Sequence, residues 1–256
     1  MTAVFEDIDA WRAERLAQIT AGLTLGFVPT MGSLHEGHLS LVRRSRQENE
    51  RTLVSIFVNP TQFDDPADLA RYPSALDEDL RELRTVGAEF VLLPRAEDLY
   101  ADGYRYHVTE DQYSRELEGA HRPGHFDGVL TVVLKLLLIA QPERAYFGEK
   151  DWQQLTLVRG MAHAFFLTTE IVGCPTVRET DGLALSSRNH HLLPAQRARA
   201  ALFRDELARS ASAEDAIEAL RASGFAVDYV EDHERRRLGA VRLGGVRLID
   251  NVPLGD

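Results

Sequence analysis

The sequence predicts an α/β fold, a parallel sheet wrapped by helices, with a smaller α+β part following near residue 175. Three observations predict it. Short β-prone runs alternate with segments of helical length over the first two thirds of the chain, the pattern that builds parallel sheets. The segments 30–38, 59–63 and 148–151, which hold the candidate reactive side chains, each come directly after a strand, where open α/β sheets place their ligands. After Ile171 and Val172 the character changes, with Pro175 opening a polar loop that runs to Asn189.

Taken in order, residues 23–28 form an apolar β-prone run, followed by Pro29, Gly32 and Gly37 and by an amphipathic segment at about 38–49, which reads as strand, loop, helix. Residues 52–58 read as a buried strand, 77–85 as a helix, 89–93 as a strand and 129–140 as a helix. A short strand at 145–147 precedes a helix at 152–164. In the C-terminal part, helices are expected at 194–210 and 213–222 and strands near Phe225 and Val241. Gly244 and Gly245 between two β-prone runs give the signature of a hairpin with a two-residue turn. The domain boundary is placed near 175, giving domains 1–175 and 176–256.

Composition narrows the function. With 256 residues, 44% hydrophobic and 27% charged, the chain has the make-up of an ordinary globular protein. A net charge of −11 repels a phosphate backbone, so nucleic-acid binding is not expected. The stretch Arg235, Arg236, Arg237 is too short to reverse that and is read as a solvated face. The single cysteine, Cys174, makes no intramolecular disulfide, and the chain starts without a basic segment followed by a long apolar run, so a cytoplasmic protein is expected. The longest apolar stretch, 129–140, is interrupted by Lys135 and falls short of the roughly 20 residues that cross a bilayer, so no membrane partner is expected.

His35-Glu36-Gly37-His38 places two imidazoles three residues apart where a helix starts, so both can face a ligand at the helix N-terminus, whose amides attract phosphate. Gly37 would let a flat base approach the backbone. A structural pair, or zinc ligation, are alternatives for the two histidines, although no third ligand stands at a recognisable spacing. Lys150 can neutralise phosphate as a point cation and Asp151 can hold Mg²⁺, with a surface salt bridge as the alternative. Gln62 and Gln154 are neutral groups suited to a small hydroxy acid whose carboxylate must stay free to attack, with an ordinary surface residue as the alternative for either. Pro29, Met31 and Phe57 could wall an apolar substrate group or simply pack the core. Neither a Gly-x-x-x-x-Gly-Lys-Ser/Thr loop, a Gly-x-Gly-x-x-Gly after a strand, nor a Gly-x-Ser-x-Gly elbow occurs, which disfavours P-loop kinases, dinucleotide oxidoreductases and serine hydrolases.

The segment from Phe27 to Leu39, with Pro29, Thr30, Met31, Gly32, Ser33, Leu34 and the His35-Glu36-Gly37-His38 motif, resembles the pantothenate synthetase family of the nucleotidyltransferase superfamily. The resemblance continues through Asn59-Pro60-Thr61-Gln62-Phe63, Arg71-Tyr72-Pro73, Arg122-Pro123-Gly124-His125-Phe126, Gly148-Glu149-Lys150-Asp151 with Gln153-Gln154, and Asp181-Gly182 on to Asn189. It implies a Rossmann-like parallel-sheet nucleotidyltransferase domain with a small α+β C-terminal lid. It also implies ATP-dependent condensation of pantoate with β-alanine through a pantoyl adenylate, with Mg²⁺, and a homodimer.

By the same resemblance ATP meets Met31, Gly32, Ser33, Leu34, His35, Glu36, Gly37 and His38. It also meets Gly148, Glu149, Lys150 and Asp151, and then Val177, Leu185, Ser186, Ser187 and Arg188. The last stretch takes the place of the mobile loop of the class I aminoacyl-tRNA synthetases. His38, His35, Lys150 and Arg188 become the catalytic set, Asp151 the metal ligand, and Gln62, Gln154, Asn59 and Met31 the substrate contacts. Asn59, Tyr72, Arg122 and His125 sit in family motifs without an assigned contact beyond that. The region after Phe225 reads as shorter than usual for the family. Two rivals share the histidine pair, a nucleotidyltransferase that stops at nucleotidyl transfer and a nucleotide-binding regulator. The acid- and amine-binding motif argues against the first, and the set of Lys150, Asp151 and Arg188 against the second.

Overall fold

The computed structural model describes residues 2–70, 72 and 75–255, with only the backbone of Asp68. The motif residues Arg71 and Pro73 lie outside them. The chain divides into two compact units, one of residues up to 148 together with 153–174, the other of 149–152 together with those from 175 onward.

The first unit is built on β1 (Ala3–Phe5), α1 (Ile8–Thr20), β2 (Leu25–Thr30), α2 (Glu36–Glu48), β3 (Arg51–Ile56), α3 (Pro66–Ala70), α4 (Leu76–Val86), β4 (Phe90–Leu92), α5 (Ala96–Leu99), α6 (Leu117–His121), α7 (His125–Ala140), β5 (Arg144–Gly148), α8 (Trp152–Ala164) and β6 (Glu170–Cys174). Its six strands pair in parallel in the order β1-β4-β3-β2-β5-β6. From β2 the chain runs outward through β3 and β4, with β1 added at that edge, and on the other side from β5 to β6, so the crevice past the carboxyl ends of β2 and β5 is the topological switch point where such sheets bind ligands. β2 and β3 are buried almost throughout, as continuous apolar strands covered on both faces must be. α2 lays Leu39, Leu41 and Val42 on this sheet, and the buried Ser45 and Thr52 hydroxyls, 2.8 Å apart, tie it to β3.

β1 and α1 were not expected from the sequence. β1 is a three-residue edge strand with two exposed positions. α1 turns Trp11, Arg15 and Gln18 inward while Leu16 and Ile19 are exposed, which inverts the usual amphipathic signal. Arg15 is tolerated there because its guanidinium donates to the backbone oxygens of Gln141 and Leu23 and pairs with Glu143. Trp11 is fully buried, donates from Nε1 to the Ile139 oxygen at 3.1 Å, and meets Phe5 and Phe90 edge-on. Helix α7 begins at His125, four residues ahead of the expected 129.

The second unit contains α9 (Pro194–Ala200), α10 (Leu202–Arg209), α11 (Ala213–Ala222) and the strands β7 (Ala226–His233), β8 (Arg236–Leu243) and β9 (Val246–Pro253). The strands form an antiparallel sheet, β7-β8-β9, with Leu243 opposite Val246 across the Gly244-Gly245 turn. Phe203, Leu207, Ala216, Leu220, Val241 and Leu248 form its core. The helix expected at 194–210 is two helices, α9 and α10, with no glycine or proline between them to mark the break. Of the arginine stretch Arg235 is exposed, but Arg236 and Arg237 do not lie on a solvated face. Arg237 is 1% exposed and donates to the Leu207, Ser210 and Ala211 oxygens and to Asp232, and Arg236 stacks 4.2 Å over the Trp152 ring. No helix among the described residues is long and apolar enough to cross a membrane.

Candidate active site

β2 delivers the chain to the switch point at Thr30, and the next residues reverse it. Gly32 (φ 84°) and Ser33 (φ 52°) both lie in the left-handed region, and a Cβ on Gly32 would come within 3.0 Å of Asp79 Oδ2. Such a turn can aim successive backbone amides at one point. Here that point is the carboxylate of Asp79, from α4, which accepts from Ser33 N at 2.8 Å and Leu34 N at 2.7 Å. Burial pushes the Asp79 carboxyl above its ordinary value, against the pull of these two donors. The residue was not singled out in the sequence, where it reads as an ordinary acidic residue in a helical first turn.

His35 then caps α2. Its Nδ1 accepts from Gly37 N at 3.1 Å, while His38 Nδ1 accepts from His35 N at 3.3 Å, and the two rings stack with centroids 4.1 Å apart. A ring nitrogen that accepts carries no proton, so both neutral imidazoles hold their hydrogen on Nε2. The cap therefore sets two Nε2–H donors beside the N-terminal amides of a helix, an arrangement suited to an anionic ligand.

The turn after β3 forms the second element. Asn59 is 1% exposed, donates from Nδ2 to Gly128 O at 3.2 Å and to Gln62 Oε1 at 3.0 Å, and accepts from Tyr100 and Thr61. Gln62 Nε2 lies 3.1 Å from Met31 Sδ, so three of the four expected substrate contacts are in one connected group, one residue from the loop that leads to the histidines. α7 packs directly against this turn: a Cβ on Gly128 would come within 2.3 Å of the Thr61 carbonyl oxygen. Buried His125 donates from Nδ1 to Gln62 O at 2.7 Å, and burial with the neighbouring Arg122 charge drives its pKa down to about 4. It is a neutral support for the turn. Gln153 is consumed structurally, between the Tyr113 and Glu116 oxygens and the Glu118 amide. Its neighbour Gln154 is half-buried and makes no side-chain hydrogen bond among the described residues.

The second unit carries the cationic candidates. Glu149–Asp151 is a single 3₁₀ turn held by Asn251, whose Nδ2 donates to the oxygens of Glu149 and Lys150, both at 2.9 Å. Asn251 left no sequence signal, since its partners lie a hundred residues away. Glu149 faces Arg236, and the Lys150 ammonium has no ion pair among the described residues. Residues 177–189 form a small stapled hairpin: Leu185 N donates to Val177 O, Arg178 bridges Ala184, Arg197 pairs with Glu179 and Asp181, and Asn189 ties Glu179 to the Ala184 oxygen. Ser186 Oγ caps the following 3₁₀ turn by accepting from Arg188 N at 3.2 Å. No group of three or more His, Cys, Asp or Glu converges among the described residues. A lone carboxylate such as that of Asp151 would hold Mg²⁺ only together with phosphate oxygens and water. Cys174 packs in the core, 4% exposed, with Arg44 at 3.5 Å from its sulfur.

Fold and site together suit an α/β enzyme that handles a nucleotide. The family model described as Pantoate-beta-alanine ligase matches residues 3–253, and the chain belongs to that family. It is 51% identical over 248 residues to the pantothenate synthetase of Bdellovibrio bacteriovorus, covering 97% of this chain and 96% of that one. It superposes with TM-score 0.93 on the pantoate-beta-alanine ligase of Francisella tularensis complexed with beta-gamma ATP and beta-alanine, at 38% identity over 99% of this chain and 98% of that one. For the pantothenate synthetase of Thermus thermophilus the TM-score is 0.88 at 41% identity, over 99% of both chains. These relatives are matched over nearly all of their own length, so the short connections after Phe225 do not set the chain apart from them.

Proposed function

We propose that the protein condenses pantoate with β-alanine at the expense of ATP, through pantoyl adenylate. The pantoate carboxylate attacks the α-phosphorus and expels pyrophosphate. The β-alanine amine then attacks the acyl carbon of the mixed anhydride, loses a proton, and AMP leaves with the acyl C–O bond electrons, giving pantothenate. Residues 1–175 serve as the nucleotide- and pantoate-binding domain and 176–256 as a small lid domain. The observation that carries this reading is the connected group of Asn59, Gln62 and Met31, one residue from the histidine loop: an amide donor for an acid beside an anion-suited helix N-terminus.

In this reading Gln62 contacts both pantoate and β-alanine, Gln154 contacts pantoate, and Pro29, Met31 and Phe57 wall its geminal methyl groups. Neutral amides hold the carboxylate without the tight ion pair that would blunt its attack. Met31 to His38, Gly148 to Asp151, Val177 and Leu185 to Arg188 are assigned to ATP, and Asp151 to Mg²⁺, which when bound neutralises phosphate charge. His35 anchors phosphate through its Nε2–H, and His38, Lys150 and Arg188 meet the charge that grows as pyrophosphate departs. Incubation with ATP, Mg²⁺, pantoate and β-alanine should yield AMP and pantothenate in equal amounts, and AMP without pantothenate would refute the ligase reading.

Gln154→Ala should weaken pantoate binding by about 10-fold while ATP binding stays near wild type, since one hydrogen bond to the acid is lost. Equal loss for both ligands in calorimetry would contradict the assignment. The protein is further proposed to be a cytoplasmic homodimer. Light scattering at micromolar concentration should give twice the 28.7 kDa chain mass, and a persistent monomer would rule the dimer out.

A further inference from the structure

Gln62 can serve an acid only with its NH₂ end outward, since its carbonyl end would repel a carboxylate. Which end it presents is decided behind it. The Gly128 carbonyl oxygen can only accept, so the Asn59 atom 3.2 Å from it is the amide nitrogen. The other end of Asn59, Oδ1, takes the Tyr100 hydroxyl at 2.6 Å, the Thr61 hydroxyl at 3.0 Å and the Thr61 amide at 3.4 Å. With its nitrogen turned inward, Asn59 also donates to Gln62 Oε1 at 3.0 Å. That occupies the Gln62 oxygen and leaves its nitrogen beside Met31 Sδ with a second hydrogen to offer.

The shortest of these bonds comes from Tyr100, the residue directly after α5. Burial pushes its phenol up to about 12, so it keeps its proton and remains a donor at neutral pH. Its ring is fixed from outside the site. Tyr104 meets it edge-on at 5.6 Å, and the Lys135 ammonium lies 4.8 Å over its face while donating to Leu99 O at 2.6 Å. This explains the lysine that interrupts the apolar run of α7.

We infer that Tyr100 is a positioning residue for the acid substrate: through Asn59, its hydroxyl fixes Gln62 with the NH₂ end toward the carboxylate. The inference rests on the reading that Gln62 contacts pantoate. Tyr100→Phe removes one oxygen and keeps the ring, so the packing on Tyr104 and Lys135 survives. We expect this variant to melt near wild type, to bind pantoate about 3- to 10-fold more weakly, as the loss of one such bond gives, and to bind ATP unchanged. In a Gln62→Ala background the same substitution should have no further effect on pantoate, because the group it orients is gone. Calorimetry on the two single variants and the double variant separates the outcomes. If Gln62→Ala binds pantoate like wild type, the Gln62 reading fails and this inference with it. If Gln62→Ala is defective while Tyr100→Phe is silent, weakens ATP equally, or adds its full effect in the double variant, Tyr100 has no positioning role and the Gln62 reading stands.

Discussion

Lys150→Ala is expected to slow formation of the adenylate by about 10²–10³-fold, the loss typical for one preorganised group that meets charge developing in a transition state. The reason lies in how the second unit spends its cations. Arg178 is committed to Asp250, Arg197 to Glu179 and Asp181, Arg237 to Asp232, and Arg236 to Glu149 and the Trp152 ring. Lys150 is half-buried, held by its backbone oxygen to Asn251, and has no ion pair among the described residues of a chain with net charge −11. In so acidic a protein an ammonium without an ion pair among the described residues, carried on a turn whose backbone Asn251 holds, suits an anion. A single-turnover measurement of pyrophosphate release from ATP and pantoate, without β-alanine, reads this step alone. A wild-type rate in the folded variant would make Lys150 an ordinary lysine. Lys150→Arg should recover only part of the loss, because a planar guanidinium on the same turn puts its charge elsewhere.

The strands and helices that carry the site were legible in the sequence because their chemistry is local. β2 and β3 are continuous apolar runs, and α2 carries its apolar face at helical spacing above a motif whose histidines are themselves the cap. α1 was not legible, because it buries Arg15 and Gln18 and exposes Leu16 and Ile19. Its place is set by Trp11 and by carbonyl oxygens more than a hundred residues away. The same division runs through the site. His35, His38 and Lys150 could be singled out as residue types beside strand ends, and Gln62 through the family resemblance. Asp79, Tyr100 and Asn251 could not, because each acts by hydrogen bonds across 41 to 102 positions, which composition and spacing do not record. The resemblance had already set Gln154 apart from Gln153, and the fold adds that Gln153 is spent on backbone groups.

His38→Ala is expected to separate the two half-reactions. Adenylation should fall by about 10²–10³-fold, as when one donor to a developing anion is removed, and amide formation should suffer less. His38 Nδ1 accepts from the His35 amide, so in the proposed role the ring would present its Nε2–H to phosphate and act there as the donor. Charge accumulates on phosphate oxygens when the α-phosphorus is attacked and pyrophosphate departs, and this is where such a donor gains most. In the second step the anhydride is already activated and the amine attacks carbon, with AMP as a good leaving group. The substitution also removes an acceptor from the cap of α2, so His38→Gln is the control: its side chain can keep a polar group near the His35 amide and still place a donor toward the ligand. It should retain more adenylation activity than His38→Ala at equal melting temperature. Supplying synthetic pantoyl adenylate and β-alanine to folded His38→Ala isolates the second half-reaction. If that step is as slow relative to wild type as adenylation is, His38 supports the helix start as a whole or activates the amine, and its assignment to the departing pyrophosphate is wrong.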